Sequence, residues 1–361
     1  VAKPDPRLQR LDAAITRGQR FLYDRQSEDG AWRSVTYGVY RDGHDLTPHV
    51  LSTMVVLGRD EPRVRRAAGF VAGMLDDRGQ PTGPWGNPVY TAANASWCMT
   101  MAGRPRDAGR FIAVLRQHQL DAERGWTPAD PQHGGWGYSP RVPTRPADAA
   151  AAAAVSANVS ATVYGVGGLK LFRSVQHEDA LPAAIGFLTR LQNADGGFGF
   201  TLNDDASNKA GMTADGRPRS YGSATADGVR ALLAAGVAAD DPRVIAAARW
   251  LAERFDPANP TRNPGDFPPD RAVVARGFEH YWMWTAAHAF RQLPPAHRPE
   301  GWATLLADAV IARQREDGAW ANRYTDGRED DPLVATPFAL AALAICRDQL
   351  ANEKCLMETA R

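Results

Sequence analysis

The sequence predicts an all-α chain folded as an α6–α6 toroid, a double ring of about twelve helices in six hairpin repeats. Three observations carry that prediction. Gln, Asp, Gly and an aromatic residue stand at the same offsets in three turns: Gln26, Asp29, Gly30 and Trp32; Gln192, Asp195, Gly196 and Phe198; Gln314, Asp317, Gly318 and Trp320. The glycines of six such Gly-x-aromatic turns, Gly30, Gly83, Gly134, Gly196, Gly265 and Gly318, are separated by 53, 51, 62, 69 and 53 residues. Each interval has room for two apolar segments with helical period, and a recurrence on this scale is the signature of a repeat architecture.

The elements follow in order. A first helix precedes each turn, over 15–25, 64–75, 108–119, 181–191, 244–255 and 302–313. Its apolar residues fall on one face, as Ile185, Leu188 and Leu191 do. A second helix follows each turn, over 48–57, 92–101, 158–171, 224–235, 280–290 and 337–345. This set is apolar nearly all round, as in the run from Phe338 to Ile345, and such helices are buried. Thr47 before Pro48 and Thr336 before Pro337 read as capping hydroxyls ahead of a first-turn proline. The Asp-Gly and Gly-Gly pairs supply positive φ where each first helix ends. One exposed and one buried helix per hairpin make an outer and an inner ring. Closing the ring removes unsatisfied terminal repeats, and an open α-solenoid is the alternative.

Composition bounds the function. At 361 residues with 44% hydrophobic and 23% charged side chains, the chain can bury a large core. The 42 basic and 41 acidic residues give a net charge of +1 with no basic block, which argues against a nucleic-acid partner. No run approaches the roughly 20 apolar residues of a membrane span, so no integral membrane segment is expected. Cys98, Cys346 and Cys355 lack metal-site spacing, and the first two read as buried thiols. Residues 1–350 are expected to form one toroid domain, with 351–361 as a polar tail that frays. A start at Val1 in place of Met is what a removed signal peptide, or simply a chain boundary, leaves. The sequence sets neither compartment nor oligomeric state.

Four long connections, 127–157, 201–223, 256–279 and 323–336, all run from a turn to the next inner helix. They should gather at one end of the ring, and loops of this length carry function or are disordered. The alanine-rich stretch 147–154 reads as an added turn of helix or a mobile linker.

The Gln–Asp–Gly–aromatic turns resemble the QW repeats of the squalene-hopene cyclase, oxidosqualene cyclase and protein prenyltransferase β-subunit superfamily. The run from Asp45 to Leu51 (DLTPHVL) and the run from Tyr221 to Leu232 (YGSATADGVRAL) resemble inner-helix starts of the same group. The resemblance covers about Ile15 to Ile345 and implies an α/α toroid. It also implies an apolar, isoprenoid-type ligand in the ring, with acid-initiated cyclisation as the family's chemistry. Departures are plain. Triterpene cyclases carry two such domains. Of their Asp-x-Asp-Asp motif only Asp45 remains, in the register of the proton donor, with Gly43 and Leu46 where acids should stand. Arg328 to Asp331 is a second imperfect match. None of the cysteines makes the Asp-x-Cys of zinc prenyltransferases, so neither a metal nor a cofactor is implied.

The candidate catalytic residues are Asp45, His44, His49, Asp330 and Asp331. His44, Asp45 and His49 would suit a general acid at a cavity mouth, or else a helix cap with ordinary polar neighbours. The two histidines are not spaced i, i+4, which disfavours a metal site on one helix. Glu329, Asp330 and Asp331 would supply a donor whose pKa is raised by mutual repulsion, or a solvated acidic loop. Asp204 and Asp205 share a loop with Arg217 and Arg219, a candidate anion or sugar contact or a set of local ion pairs. The candidate ligand-binding residues are Tyr90, Tyr164, Tyr221, His280, Tyr281, Trp282 and Trp284, whose rings would stabilise a carbocation, stack on a sugar, or pack the core. Three functions stay open: a terpene-cyclase-like protein, a non-catalytic binding or scaffold toroid, and a carbohydrate-active toroid enzyme with paired carboxylates.

Overall fold

The computed structural model of the chain describes residues 5–58, 61–171, 179–203 and 206–359. Asp204 and Asp205 lie outside them. Helices alternate between two rings. Outer α1 (Pro6–Tyr23) leads to inner α2 (Leu46–Leu57), and α3 (Pro62–Ala72) to α4 (Pro88–Met101). Then α5 (Pro105–Gln117) leads through the short α6 (Ala149–Ala154) to α7 (Val159–Leu171), and α8 (Ala180–Leu191) to α9 (Gly222–Ala234). Finally α10 (Pro242–Arg254) leads through the short α11 (Ala272–Gly277) to α12 (Glu279–Gln292), and α13 (Trp302–Ala312) to α14 (Pro332–Thr359).

Proline at the first turn starts six of these helices, where its missing N–H costs no intrahelical bond. At four of them the preceding acid caps the helix: Asp5 accepts from Arg7 N, Glu61 from Arg63 N and Val64 N, Asp241 from Arg243 N, and Asp331 from Leu333 N. Acid-proline pairs thus set the starts, and the threonines do not. Thr47 lies inside α2 and Pro337 inside α14, so neither Thr47 nor Thr336 is a cap.

The ring closes. On the inside α2 packs on α4, α4 on α7, α7 on α9, α9 on α12, α12 on α14, and α14 returns to α2. An open solenoid is thereby excluded, and the architecture is an α/α toroid. The turns staple the outer ring. Gln26 Nε2 donates to Gly30 O in its own turn and to Arg63 O at the start of α3, both at 2.9 Å. Gln192 makes the same pair to Gly196 O and Arg243 O, and Gln314 to Gly318 O and Ala14 O. The last pair joins the sixth repeat to the first. Gln119 does likewise with Gly134 O and Ala180 O despite a longer turn.

The aromatic residue is locked at both ends. Trp32, Trp136 and Trp320 donate Nε1–H at 2.7 Å to Leu22, Leu115 and Val310 carbonyls. Their backbone N–H groups reach Thr47, Thr162 and Thr336 hydroxyls on the following inner helix. That is the work of the threonines. Two turns differ from expectation. In the second repeat the positive φ falls at Gly79 (76°), which closes a turn on Asp76, and not at Gly83. Gly265 stands well beyond the end of α10 and pairs with Tyr221.

At Gly134 φ is 91°, and a Cβ would meet Ala183 O and C on α8. Gly134→Ala should therefore cost at least ~1–2 kcal/mol from the left-handed backbone alone. A urea denaturation midpoint indistinguishable from the parent would refute this close-approach role.

Both short extras pin the site end. Asp148 Oδ1 accepts from Ala151 N at 2.7 Å, so the alanine stretch is the added turn of helix. Strand β1 (Trp136–Gly137) pairs antiparallel with β2 (Ala157–Asn158) and fixes the 127–157 connection against α7. Helix α14 runs on through 351–359, where fraying was expected, and Ala351, Asn352, Glu353 and Cys355 on it are exposed. Contrary to the apolar-run count, Pro332–Cys355 is long and apolar enough to cross a membrane. Its most apolar window is 72% buried in the ring, as a core helix would be. Cys98 and Cys346 are buried thiols, and Cys355 is exposed.

Candidate functional site

The long connections meet over the N-terminal ends of the inner helices and roof a cavity of about 370 Å³. That is within the roughly 300–1,000 Å³ of small-molecule sites. Nine aromatic rings line it: Tyr40, Tyr90, Tyr138, Tyr164, Phe200, Tyr221, Phe278, Tyr281 and Phe338. The rings contact one another, with Tyr90 and Tyr164 centroids 4.5 Å apart and Tyr281 edge-on to Phe338 at 5.3 Å. Burial pushes the Tyr90, Tyr164, Tyr221 and Tyr281 phenols above their ordinary pKa, so they are neutral hydrogen-bonding groups at neutral pH.

Asp45 is the carboxylate in the buried part of this wall. It precedes the first residue of α2 and is 7% exposed. Its carboxyl reaches across to the start of α4 and caps nothing on its own helix. Oδ2 accepts from Gly86 N at 2.7 Å, and Oδ1 accepts from the Thr91 hydroxyl. Burial raises its pKa, and the bonds from Thr91, Gly86 and Asn87 only partly oppose this. A carboxyl whose ionised form is disfavoured by burial at an aromatic wall suits a proton donor, and its conjugate base is met by ready-made hydrogen-bond donors.

His49 also lines the cavity, with its ring 4.5 Å from Phe338. Its Nε2 lies 3.0 Å from the Val334 carbonyl, which can only accept, so the proton sits on Nε2. Burial draws the His49 pKa down to about 4. The unfolded chain therefore binds this proton first, and stability should fall as pH drops from about 6.5 to about 4. His49→Gln should flatten that slope in denaturation curves taken across the window; an unchanged slope would show that other groups produce it.

The remaining predicted residues divide. Tyr90, Tyr164, Tyr221 and Tyr281 line the cavity. His44 does not: its ring lies against Phe70 and Gly83 beside Asp42. Asp330 accepts from the Tyr37 hydroxyl at 2.6 Å, and Asp331 from Ser34 and from Leu333 N at the start of α14. Neither lines the cavity, and Asp331 is a helix cap. His280 is buried behind the wall, with its Nδ1 3.0 Å from Glu329. Trp282 points outward and donates to Pro260 O, as a turn tryptophan does. Trp284 is not in the cavity lining: it packs against Tyr164, Tyr281 and Phe338, and Arg230 covers its face at 4.3 Å, which leaves that face unavailable to a ligand cation.

Sequence reasoning missed Asp227. It is fully buried on α9 just behind the cavity wall, and accepts from Tyr281 (2.6 Å), Ser160 (2.8 Å), Thr285 (2.6 Å) and Arg230 (3.1 Å). Burial raises its pKa against those bonds. A lone acid between Ala226 and Gly228 in an apolar helix was the available signal. Lys209, Asp326 and Arg328 in the cavity wall were missed too; the sequence marks Arg328 only as the start of the second imperfect acid motif, and nothing in the local sequence marks the other two.

No protein-family profile and no curated protein sequence matches the chain. Solved structures do. The type II terpene cyclase MstE from Scytonema, with its product merosterolic acid A, superposes with a TM-score of 0.59 at 15% identity, over 95% of this chain and 99% of that one. Cellobiose 2-epimerase from Spirochaeta thermophila gives 0.58 at 13%, over 96% and 98%. An inactive GH76A alpha-1,6-mannanase variant from Salegentibacter, with alpha-1,6-mannotriose, gives 0.59 at 10%, over 93% and 99%. Identities this low establish shared architecture, and the chain has the α/α-toroid fold common to a terpene cyclase, a sugar epimerase and a mannanase.

Proposed function

We propose that the protein binds an isoprenoid-type ligand in the aromatic cavity and starts its cyclisation by proton transfer from Asp45. The carrying observation is a buried carboxyl, raised in pKa, set into a wall of nine aromatic rings. In the step, Asp45 gives its proton to one carbon of an alkene. The π pair forms the new C–H bond, and a tertiary cation develops at the other carbon. The Asp45 carboxylate left behind is held by Gly86 N–H and the Thr91 hydroxyl, donors already in place before the transfer. Electron-rich ring faces lower the energy of the cation, each by about 0.5–2 kcal/mol. A further alkene of the same chain then attacks the cation, forming the ring bond, and loss of a proton ends the sequence.

A second reading is supported by the epimerase and mannanase neighbours and by the polar members of the wall, Asn87, Asn94, Ser160 and Ser223. It would use Asp45 with Asp326 on a sugar. One experiment separates them. The protein is incubated with linear farnesyl and geranylgeranyl acids and alcohols, and in parallel with gluco- and manno-oligosaccharides, and products are read by mass spectrometry and NMR. Cyclised isomers of unchanged mass support the first reading; cleaved or epimerised sugars alone would replace it with the second.

A further inference from the structure

Two cations in the cavity wall have no part in the proton transfer. Lys209, on the 201–223 connection, holds its ammonium 3.3 Å from the Phe200 ring centroid and 5.1 Å from that of Phe278. Among the described residues it has no hydrogen bond or ion pair. Burial draws its pKa down to about 7, against the pull of Asp227 and Asp326.

Arg328 enters the same wall from the 323–336 connection, with its guanidinium 5.2 Å over Tyr40 and 5.5 Å over Tyr37. It is the non-glycine residue with positive φ (56°) among the described residues, and no carboxylate lies within ion-pair distance of it. Arg230 differs in this respect, being paired with Asp227.

Both features cost stability. A cation in an aromatic wall without a counter-ion forfeits hydration, and a left-handed non-glycine residue costs about 1–3 kcal/mol and persists where it orients a functional group. The Arg328 charge, and that of Lys209 when protonated, would also oppose a carbocation forming in the same cavity. A ligand anion removes that opposition and pairs both groups. A planar guanidinium and a point ammonium lining one cavity suit an oxyanion, which the first can take in bidentate fashion.

We propose that Lys209 and Arg328 form a head-group subsite for the carboxylate or phosphate of an amphiphilic ligand, whose apolar chain lies against Tyr90, Tyr164, Tyr281 and Phe338. The identity of the chain rests on the isoprenoid reading above; the anion does not.

Calorimetric titration tests this with farnesoic acid, farnesyl monophosphate and farnesol, and with benzoate and inorganic phosphate as chainless anions. One of the two farnesyl anions should bind at least about tenfold tighter than farnesol, the scale of one charge-assisted pair, and whichever does so identifies the head group. Lys209→Met and Arg328→Gln should each remove most of that advantage while leaving farnesol affinity within about threefold. Arg328→Gly, which relieves the backbone, should bind the anion as weakly as Arg328→Gln while unfolding at higher urea. Farnesol binding as well as both anions overturns the subsite and leaves the isoprenoid reading standing. Benzoate or phosphate binding that needs Lys209, with no gain from the farnesyl chain, keeps the subsite and removes the isoprenoid reading. Absence of binding by all five probes overturns both.

Discussion

Asp45→Asn should lower cyclised product by about 10²–10⁴-fold, the range lost when a general acid is removed. Binding of the unreacted ligand should stay within about threefold, since the change is isosteric and lies at one point of a large wall. The fold should survive as well. The Asn carbonyl can still accept from Gly86 N–H, and the Thr91 hydroxyl can turn to accept from the Asn amide. What Asn lacks is a proton it can release. Turnover within threefold of the parent, measured in single-turnover mode, would remove Asp45 from the mechanism. Asp330→Asn and Asp331→Asn give the contrast. Their carboxylates serve Tyr37 and the α14 start, so any loss there should appear in stability before chemistry.

Glu329→Ala should destabilise the fold by about 3–5 kcal/mol, the summed cost of leaving several buried donors without an acceptor. Glu329 is fully buried, and its carboxylate accepts from His280 N (2.9 Å), Tyr281 N (2.8 Å), His280 Nδ1 (3.0 Å) and Asn322 Nδ2 (2.8 Å). It thereby satisfies the first free N–H groups of α12 from a different connection. Alanine would leave those donors buried without acceptors and free the helix start that aims Tyr281 into the cavity. Glu329→Gln should lose less, since one oxygen still accepts. A denaturant-derived loss below 1 kcal/mol for the alanine variant would mean that water replaces the carboxylate at no cost.

The fold was legible because turn chemistry and helical period are local. Gln26, Gln192 and Gln314 identify the staple, and the same geometry recurs at Gln119 where the spacing had hidden it. The site was legible only in part, because the direction of a side chain around a helix changes by about 100° per residue. Within one helical turn, Tyr281 enters the cavity, Trp282 leaves for Pro260, and Trp284 packs behind the cavity lining under Arg230. No count of aromatics separates those fates. Asp45 was marked by its place in a recognised inner-helix start. The roles of Lys209 and Arg328 were not, since what matters about them is a missing counter-ion, and that is a property of the folded neighbourhood.

The bond from Gln314 to the Ala14 carbonyl joins residues 300 positions apart. A linear stack of hairpins can shed its end unit and keep the rest, so its unfolding is graded. A closed ring has no end unit: removing any hairpin opens two faces at once, and the seam forms only after nearly the whole chain is in place. Hydrogen exchange should therefore report one shared opening energy for the slow amides of all six hairpins, and weakening the seam at Gln314 should lower protection in hairpins three and four, on the far side of the ring, as much as beside it.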